Sequence, residues 1–306
     1  QVWYNTTDNV AKYQIPNVTT AWRTGGNLNT ARRAMGGAGA DNTQGLAFTG
    51  DDGSNPVANT ESYNGATWTE VNDVNQARGF PGSSGKSYTA ALLFGGTEPT
   101  FSAKTENWNG TNWTEVNDLN TARNALGVGA CGTNTSALAV NGQDPSGRLA
   151  INESWNGSSW TEVNDTNSAR VGAGVSGADN TSALYFGGSN PPTSSLGVVE
   201  SWNGTSWTET TDLNTARRYS VGIGTNPSAL CVGGYSTTIV ANTEEWNGST
   251  WTETADLNAV ESELGASGTT SSALGFGGEG VSSSTEEWTK NAPVGAFSSA
   301  PNLNTA

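Results

Sequence analysis

One short segment of this chain recurs along its length, and this repetition restricts the fold more than any other feature. ESWNGTSWTETTDLNTARR (200–218) is nearly repeated as TENWNGTNWTEVNDLNTAR (105–123) and NESWNGSSWTEVNDTNSAR (152–170). The tryptophan of its WTE element returns every 44 to 47 residues, and Phe297 takes the place after the last. These tryptophans are Trp22, Trp68, Trp113, Trp160, Trp207 and Trp251. A period of about 45 residues is typical of a four-stranded β-propeller blade.

Each repeat also contains a short apolar run that ends in glycine. The clearest copies are ALLFGG (91–96), ALYFGG (183–188), ALCVGG (229–234) and ALGFGG (273–278), with GLAFTG (45–50) and ALAVNG (137–142) as looser ones. Alternate residues of these runs are apolar, and so are most of the residues between them. A strand that is apolar on both faces is buried on both faces, as it would be in a blade packed between two neighbours.

The rest of the repeat predicts three more strands. In ESWNGTSWTE, two aromatic segments flank an Asn-Gly pair, which favours the positive φ angles of a tight hairpin turn. The two tryptophans can then pack against each other across the hairpin. Glycine- and alanine-rich segments follow, such as GVGA (127–130) and VGAGV (171–175). Small side chains suit the innermost strand of a blade, where strands crowd around the axis.

The order apolar strand, Gly-Gly, aromatic strand, short turn, tryptophan, and then arginine before a small-residue segment resembles the Kelch repeat over about residues 22–300. The resemblance implies an all-β fold, a Kelch-like β-propeller of four-stranded antiparallel blades. Six apolar strands predict six blades, or seven if the natural chain is longer. We divide the chain into an N-terminal hairpin and closure segment (1–21), the propeller (22–300) and a C-terminal stub (301–306). The N-terminal strand is expected to complete the last blade.

Charge and composition exclude several functions. The chain has 13 lysines and arginines against 28 aspartates and glutamates, a net charge of −15, which disfavours binding to nucleic acid. It has no histidine, the commonest general base and metal ligand. Cys131 and Cys231 are too few for a disulfide scaffold, so we interpret them as small buried apolar residues. No apolar run reaches the ~20 residues of a membrane helix, so no membrane insertion is predicted.

Acidic residues recur at fixed places in the repeat and have two interpretations. They are Glu106, Glu153 and Glu200 before the first tryptophan, Glu70, Glu115, Glu162 and Glu209 in WTE, and Asp73, Asp118, Asp165 and Asp212 after it. Paired carboxylates can hydrolyse glycosides, but copies in every blade would be spread around the ring. We favour ion pairs with the arginines that also recur once in each unit. These are Arg32, Arg78, Arg123, Arg170 and Arg217.

The sixth unit departs from this pattern, because Glu261 stands where the others have arginine and Glu263 follows it. This acidic spot is either a relaxed repeat, which we favour, or a cation or partner site. The chain has no nucleophile elbow, phosphate loop or metal-ligand spacing. Kelch copper oxidases rely on histidine ligands, so their activity does not transfer to this chain. We therefore predict no enzymatic activity, no catalytic residue, no metal and no cofactor.

The loops after the glycine pairs differ most between repeats, and five prolines fall in them. Up-and-down strand order places these loops and the VNDLNTAR connections on one face, which predicts a binding platform. The candidate binding residues in these loops are Phe101, Lys104, Asp144, Arg148, Pro192 and Tyr235.

The even, Asn-, Thr-, Ser- and Gly-rich repeats and the N-terminal VWYNTTDNVAKYQ are similar to Kelch-like propeller proteins of marine bacteriophage virions. This resemblance implies a non-enzymatic virion or extracellular protein, either a tail-fibre receptor-binding protein or a surface decoration. Its expected partners are other virion proteins and a host-surface glycan, with a homo-oligomer inside a larger assembly as one arrangement. The alternative function is a secreted lectin-like or carbohydrate-active propeller.

Overall fold

The six apolar strands that end in glycine lie in six separate sheets, each of four antiparallel strands. A computed structural model of the chain describes residues 2–5, 10–13, 17–190 and 194–294. The innermost strands of successive sheets contact one another around a common axis. The molecule is therefore a six-bladed β-propeller, which confirms the predicted all-β fold and the number of blades.

Blades 1 to 6 follow chain order, and each contributes one strand to each of four positions. The innermost strands are β4 (Gly36–Asp41), β8 (Gly82–Ser87), β14 (Gly132–Thr133), β18 (Gly174–Asp179), β24 (Val221–Thr225) and β28 (Gly265–Gly268). The second strands are β5 (Gln44–Phe48), β9 (Ala90–Phe94), β15 (Ser136–Asp144), β19 (Ser182–Phe186), β25 (Ser228–Val232) and β29 (Ser272–Phe276). The third strands are β6 (Thr60–Tyr63), β12 (Thr105–Trp108), β16 (Gly147–Trp155), β22 (Val199–Trp202), β26 (Thr243–Trp246) and β30 (Thr285–Val294). The outer strands are β7 (Trp68–Val71), β13 (Trp113–Val116), β17 (Trp160–Val163), β23 (Trp207–Thr210), β27 (Trp251–Glu253) and, for blade 6, β3 (Asn17–Thr24).

The remaining strands form short hairpins outside the blades. They are β1 (Val2–Asn5) with β2 (Val10–Tyr13), β10 (Thr97–Glu98) with β11 (Thr100–Phe101), and β20 (Ser189–Asn190) with β21 (Ser194–Ser195). Phe297 and the C-terminal stub 301–306 lie outside the described residues. Across the described part of the chain, no helix is long and apolar enough to cross a membrane.

Blade 6 joins the two ends of the propeller. Strand β3, from the N-terminal part of the chain, pairs antiparallel with β30, from the C-terminal part. The register places Trp22 opposite Trp288, and their ring centroids lie 5.3 Å apart. The predicted closure by the N-terminal strand is thus confirmed, and it gives blade 6 its fourth, outer strand, so that β30 is paired on both edges.

Tryptophan packing holds each blade together and ties it to the preceding one. In blade 2, Trp108 faces Trp113 across the Asn-Gly turn at 5.4 Å, as the repeat predicts. The indole nitrogen of Trp113 also donates a hydrogen bond of 3.1 Å to the Thr60 hydroxyl of blade 1. The same bond joins three more neighbouring blades, in the pairs Trp160–Thr105, Trp22–Thr243 and Trp68–Thr285. Each of these bonds satisfies a buried polar group at an interface between blades.

Blade 4 lacks this hydroxyl, because Val199 occupies the threonine position. The Trp251 indole nitrogen of blade 5 therefore has no hydrogen-bond partner. We expect Val199→Thr to raise the free energy of unfolding by about 1 kcal/mol, since it supplies the missing acceptor. The measurement is the midpoint of urea unfolding. The matched control is Thr243→Val, which removes the bond to Trp22 and should lower stability. Destabilisation by Val199→Thr would show that the hydroxyl is not satisfied at this interface.

Close backbone contacts around the axis explain the small residues of the inner strands. A Cβ atom added at Gly222 would lie 2.1 Å from the Val175 carbonyl oxygen, and one at Gly37 would lie 2.3 Å from that of Ala266. Any larger residue at these two positions would push neighbouring blades apart. The expectation that small residues mark the innermost strand is confirmed.

Blade 3 differs from the others, because the segment Val128–Cys131 before β14 inserts among the inner strands of other blades. Its residues form parallel bridges with blades 2, 4 and 5. The Val128 carbonyl accepts hydrogen bonds from Val175 (2.9 Å) and Gly222 (3.0 Å). Backbone from one blade therefore fills the axis between the two ends of the propeller.

Both cysteines are free and buried, as the composition predicts. Cys231 lies in β25 and Cys131 in the inserted segment. Burial raises the pKa of the Cys131 thiol to about 12, so this thiol is neutral at physiological pH.

Candidate functional site

The recurring arginines form buried ion pairs with the glutamate two residues before the third-strand aromatic residue, as predicted. The pairs are Arg32–Glu61 (2.5 Å), Arg78–Glu106, Arg123–Glu153, Arg170–Glu200 (2.5 Å) and Arg217–Glu244 (2.9 Å). Both side chains of every pair are at most 1% exposed. The other carboxylate oxygen accepts hydrogen bonds from an asparagine, as Glu153 does from the Asn120 backbone and amide at 2.7 Å. These glutamates hold each blade to the connection that enters it.

The ion-pair prediction was wrong for the other repeated acids. The WTE glutamates Glu70 and Glu115 are exposed, because the tryptophan is the one buried residue of each outer strand. Glu115 pairs with Lys104 at 2.8 Å. Asp73 and Asp118 instead accept hydrogen bonds from third-strand backbone amides. In each of blades 1 to 5, only one of these repeated carboxylates is therefore buried against arginine.

Blade 6 has the glutamate but not the arginine. Glu286 is still held by Asn258, whose backbone amide donates at 2.9 Å, while Glu261 takes the arginine position. Burial, with smaller contributions from Glu286 and Glu279, raises the pKa of Glu261 to about 7, and a hydrogen bond with Ser282 opposes the rise. Within the described ranges, no three acidic or sulfur ligands are arranged to hold a metal ion.

This shift predicts a pH-dependent stability. Because the pKa of Glu261 in the folded state lies above its ordinary value of 4.5, the folded protein binds more protons than the unfolded chain between these two values. The contribution of Glu261 to the free energy of unfolding is therefore fully present below pH 4.5, and it is lost as the pH rises through 7. We expect Glu261→Gln to raise Tm relative to the wild type above pH 7 and to change it little near pH 4. Glu70→Gln is the exposed control, and equal effects at both pH values would contradict the assignment.

The variable loops and the connections between blades lie on one face, as predicted. In blade 2, the Thr97 amide donates to the Gly79 carbonyl at 2.8 Å, and the Gly96 amide donates to the Arg123 carbonyl of the next connection at 2.9 Å. We call this the loop face. Each variable loop is therefore anchored at its base by the arginine-bearing connections.

The predicted binding residues lie in loops of different blades. Phe101 is at the end of the β10–β11 hairpin, and Lys104 follows it. Asp144 closes the β15–β16 hairpin by accepting from the Ser146 backbone amide at 2.7 Å, while Arg148 lies opposite Gln143. Hydrogen bonds from the Ser146 hydroxyl and from backbone amides lower the pKa of Asp144.

The loop of blade 5 has more contacts with its neighbours. The Arg218 guanidinium lies 4.4 Å from the ring centre of Tyr235, and the Ser195 hydroxyl of blade 4 donates to the Tyr235 carbonyl at 2.9 Å. Pro192 lies outside the described residues. The structure places the five described candidates on the loop face without collecting them into one cluster.

A depression at the axis of the loop face was not anticipated. Its rim consists of the residue two positions after the arginine position in each of the six units, which is Glu261 in the sixth. These residues are Ala34, Phe80, Ala125, Gly172, Tyr219 and Glu263. All six have positive φ angles, between 48° and 64°. Backbone hydrogen bonds link them around the axis, for example from Phe80 to Ala34 and from Ala125 to Phe80, both at 3.0 Å. We call this depression the axial cup.

The axial cup combines apolar walls with one charged group. Phe80 and Tyr219 come from blades three apart in the ring, and Val128 of the inserted segment also lines the cup. The Glu263 carboxylate is mostly buried and lies 3.5 Å from the Arg33 guanidinium. Burial raises the pKa of Glu263, and Arg33 opposes the rise. Apolar concavities with a few polar groups are typical of ligand-binding sites. The enclosed space of this one is about 20 Å³, so a ligand larger than a water molecule would lie across its rim.

The signal for the axial cup was present in the sequence but was not recognised. Where blades 1, 3 and 4 have Ala34, Ala125 and Gly172, blades 2 and 5 have aromatic residues. Only the fold shows that these equivalent positions meet at the axis.

The chain matches no known family model. No curated protein matches it either. Among solved structures, that of YjhT superposes with a TM-score of 0.68 at 12% sequence identity, covering 85% of this chain and 95% of the other. At this identity the similarity concerns the fold alone, a β-propeller.

Proposed function

We propose that this protein is a non-enzymatic, Kelch-type binding propeller of a virus particle, and that it binds a host-surface glycan across the rim of the axial cup. The observation that carries the proposal is the pair of aromatic side chains, Phe80 and Tyr219, beside the buried Glu263 carboxylate. Sugar rings present C–H faces that pack on aromatic rings, while their hydroxyls donate to carboxylates. The cup offers both kinds of contact at the centre of the loop face.

The surrounding residues support a binding role over a catalytic one. The buried glutamates of blades 1 to 5 are each neutralised by arginine and held by asparagine. Catalytic carboxylates of glycosidases act in pairs that flank the sugar, whereas the axial cup has the single carboxylate of Glu263. The variable loops, with Phe101, Lys104, Asp144, Arg148, Pro192 and Tyr235, would add contacts around the cup.

The virion assignment rests on the resemblance of the repeats and the N-terminal segment to phage propellers. Cryo-electron microscopy of the native particles tests it: density for this propeller at a tail, a fibre or the particle surface supports the assignment. If purified particles lack the chain while the free protein binds glycans, the secreted lectin-like alternative replaces it.

Binding to host cells and to a glycan array tests the axial cup. Tyr219→Ala is expected to weaken binding about tenfold or more, the usual loss for an aromatic contact at the centre of an interface, and Phe80→Ala should act similarly. The matched control is Tyr88→Ala, because Tyr88 is exposed in a hairpin on the opposite face. Unchanged binding by both cup variants would refute the site, and release of sugar products would refute the non-enzymatic role.

A further inference from the structure

A second cavity lies on the propeller axis at the opposite end of the inner strands. It is lined by Lys86 together with Thr225, Ser228, Gly268, Thr269 and Thr270. A contiguous space on the same axis extends past Ala40 and Ala178. We call these two spaces the lysine cavity. The inserted segment Val128–Cys131 lies between it and the axial cup, so the two sites are separate.

Lys86 is an exception among the inner strands. The repeat aligns it with Ala40 in β4 and Ala178 in β18, so blade 2 has a long cationic side chain where these blades have a methyl group. Its ammonium group reaches across the axis, donating to the Gly224 carbonyl of blade 5 at 3.1 Å and to the Ala130 carbonyl of the inserted segment at 3.3 Å. Blades 2 and 5 are opposite each other in the ring.

The charge of Lys86 has no carboxylate partner among the described residues, in contrast to the five buried arginines. The titratable group that faces it is the Cys131 thiol, which is neutral. The negative charge of Asp179 contributes to the raised pKa of that thiol. Burial lowers the pKa of Lys86. A buried ammonium group is costly unless an anion compensates it, and the backbone carbonyls are neutral.

We propose that the lysine cavity binds a monocarboxylate. One carboxylate oxygen accepts a hydrogen bond from the third N–H of the Lys86 ammonium group. An ammonium group has three donors, and the two carbonyls accept only two. Thr225 lines the same cavity and supplies a further hydroxyl donor, whereas the Thr269 hydroxyl is engaged with Ser271 and Ser272 of its own turn. One cation among neutral groups matches a single negative charge, whereas a dianion would leave one charge buried and uncompensated. This site is independent of the proposed function of the loop face.

The experiment is NMR titration of the full chain, labelled with ¹³C in lysine, with sodium acetate against sodium chloride at equal ionic strength. The chain has only four lysines, and Lys86→Met assigns the Lys86 signal. Acetate should shift the Cε resonance of Lys86 but not that of the exposed Lys104. The same titration with sodium glucuronate tests whether the lysine cavity also binds a sugar acid.

Variants separate binding from folding. Lys86→Met should abolish the rise in Tm produced by acetate, and Thr225→Val, which keeps the lysine, should weaken acetate binding about tenfold, the loss expected for one hydrogen bond to a charged group. Tyr219→Ala should leave the acetate response unchanged. A Lys86 signal that does not move, or moves no more than that of Lys104, would overturn the proposal. Tighter binding of phosphate than acetate would overturn the assignment of a monoanion.

Discussion

Glu153→Gln is expected to lower the free energy of unfolding by about 3–5 kcal/mol, because it leaves the Arg123 charge buried without a partner. Arg123 is fully buried and also donates to the Asn141 carbonyl at 2.9 Å, so it remains in the interior when the carboxylate is removed. Burial already lowers the pKa of Arg123 in spite of Glu153. The measurement is urea unfolding followed by tryptophan fluorescence.

Blade 6 supplies the matched control for this experiment. Glu286 is held by Asn258 as Glu153 is by Asn120, but it faces Glu261 rather than an arginine. Glu286→Gln should therefore cause little loss of stability, because it removes a repulsion with Glu261 and leaves no arginine buried without its carboxylate. Equal losses in the two variants would show that the asparagine contacts, rather than the ion pair, stabilise the blade.

The second large effect is expected at Trp207, where replacement by alanine should cost about 3–5 kcal/mol. The side chain is 7% exposed, and its ring lies 5.3 Å from that of Trp202 in the same hairpin. Its indole nitrogen has no hydrogen-bond partner, so the loss comes from packing alone. Thermal unfolding of the purified variant measures the effect.

Two comparisons make the Trp207 result specific. Trp160→Ala should cost more than Trp207→Ala, because it also leaves the buried Thr105 hydroxyl without its donor. Val260→Ala removes an apolar side chain that is 57% exposed, and its effect should stay within about 0.5 kcal/mol. A small effect at Trp207 would show that the interface between blades adapts to the cavity.

Most of the fold could be predicted because each repeat contains nearly all the residues that contact one another within one blade. Strand burial, the Asn-Gly hairpin and the pairing of Trp108 with Trp113 all depend on residues within about one blade, and so does the Arg123–Glu153 pair. The WTE glutamates were misassigned because the repeat alone does not show that only the tryptophan of the outer strand is buried.

The candidate sites could be predicted only in part. The loop face followed from strand order, but the axial cup and the lysine cavity depend on residues of different blades that meet at the axis. Phe80 and Tyr219 are three repeats apart, and so are Lys86 and Gly224. Their proximity comes from closure of the ring and not from any local pattern.

The sequence by itself determined the blade, the number of blades and the ion pair that joins each of blades 1 to 5 to its connection. These features repeat, and every copy makes the same local contacts. The tertiary structure alone decided what lies on the axis. There, Val128–Cys131 leaves its own blade, aromatic residues form the cup, and Lys86 spans the ring. These features break the repeat, and their partners are set by the closed ring, which brings equivalent positions of all six blades within contact distance.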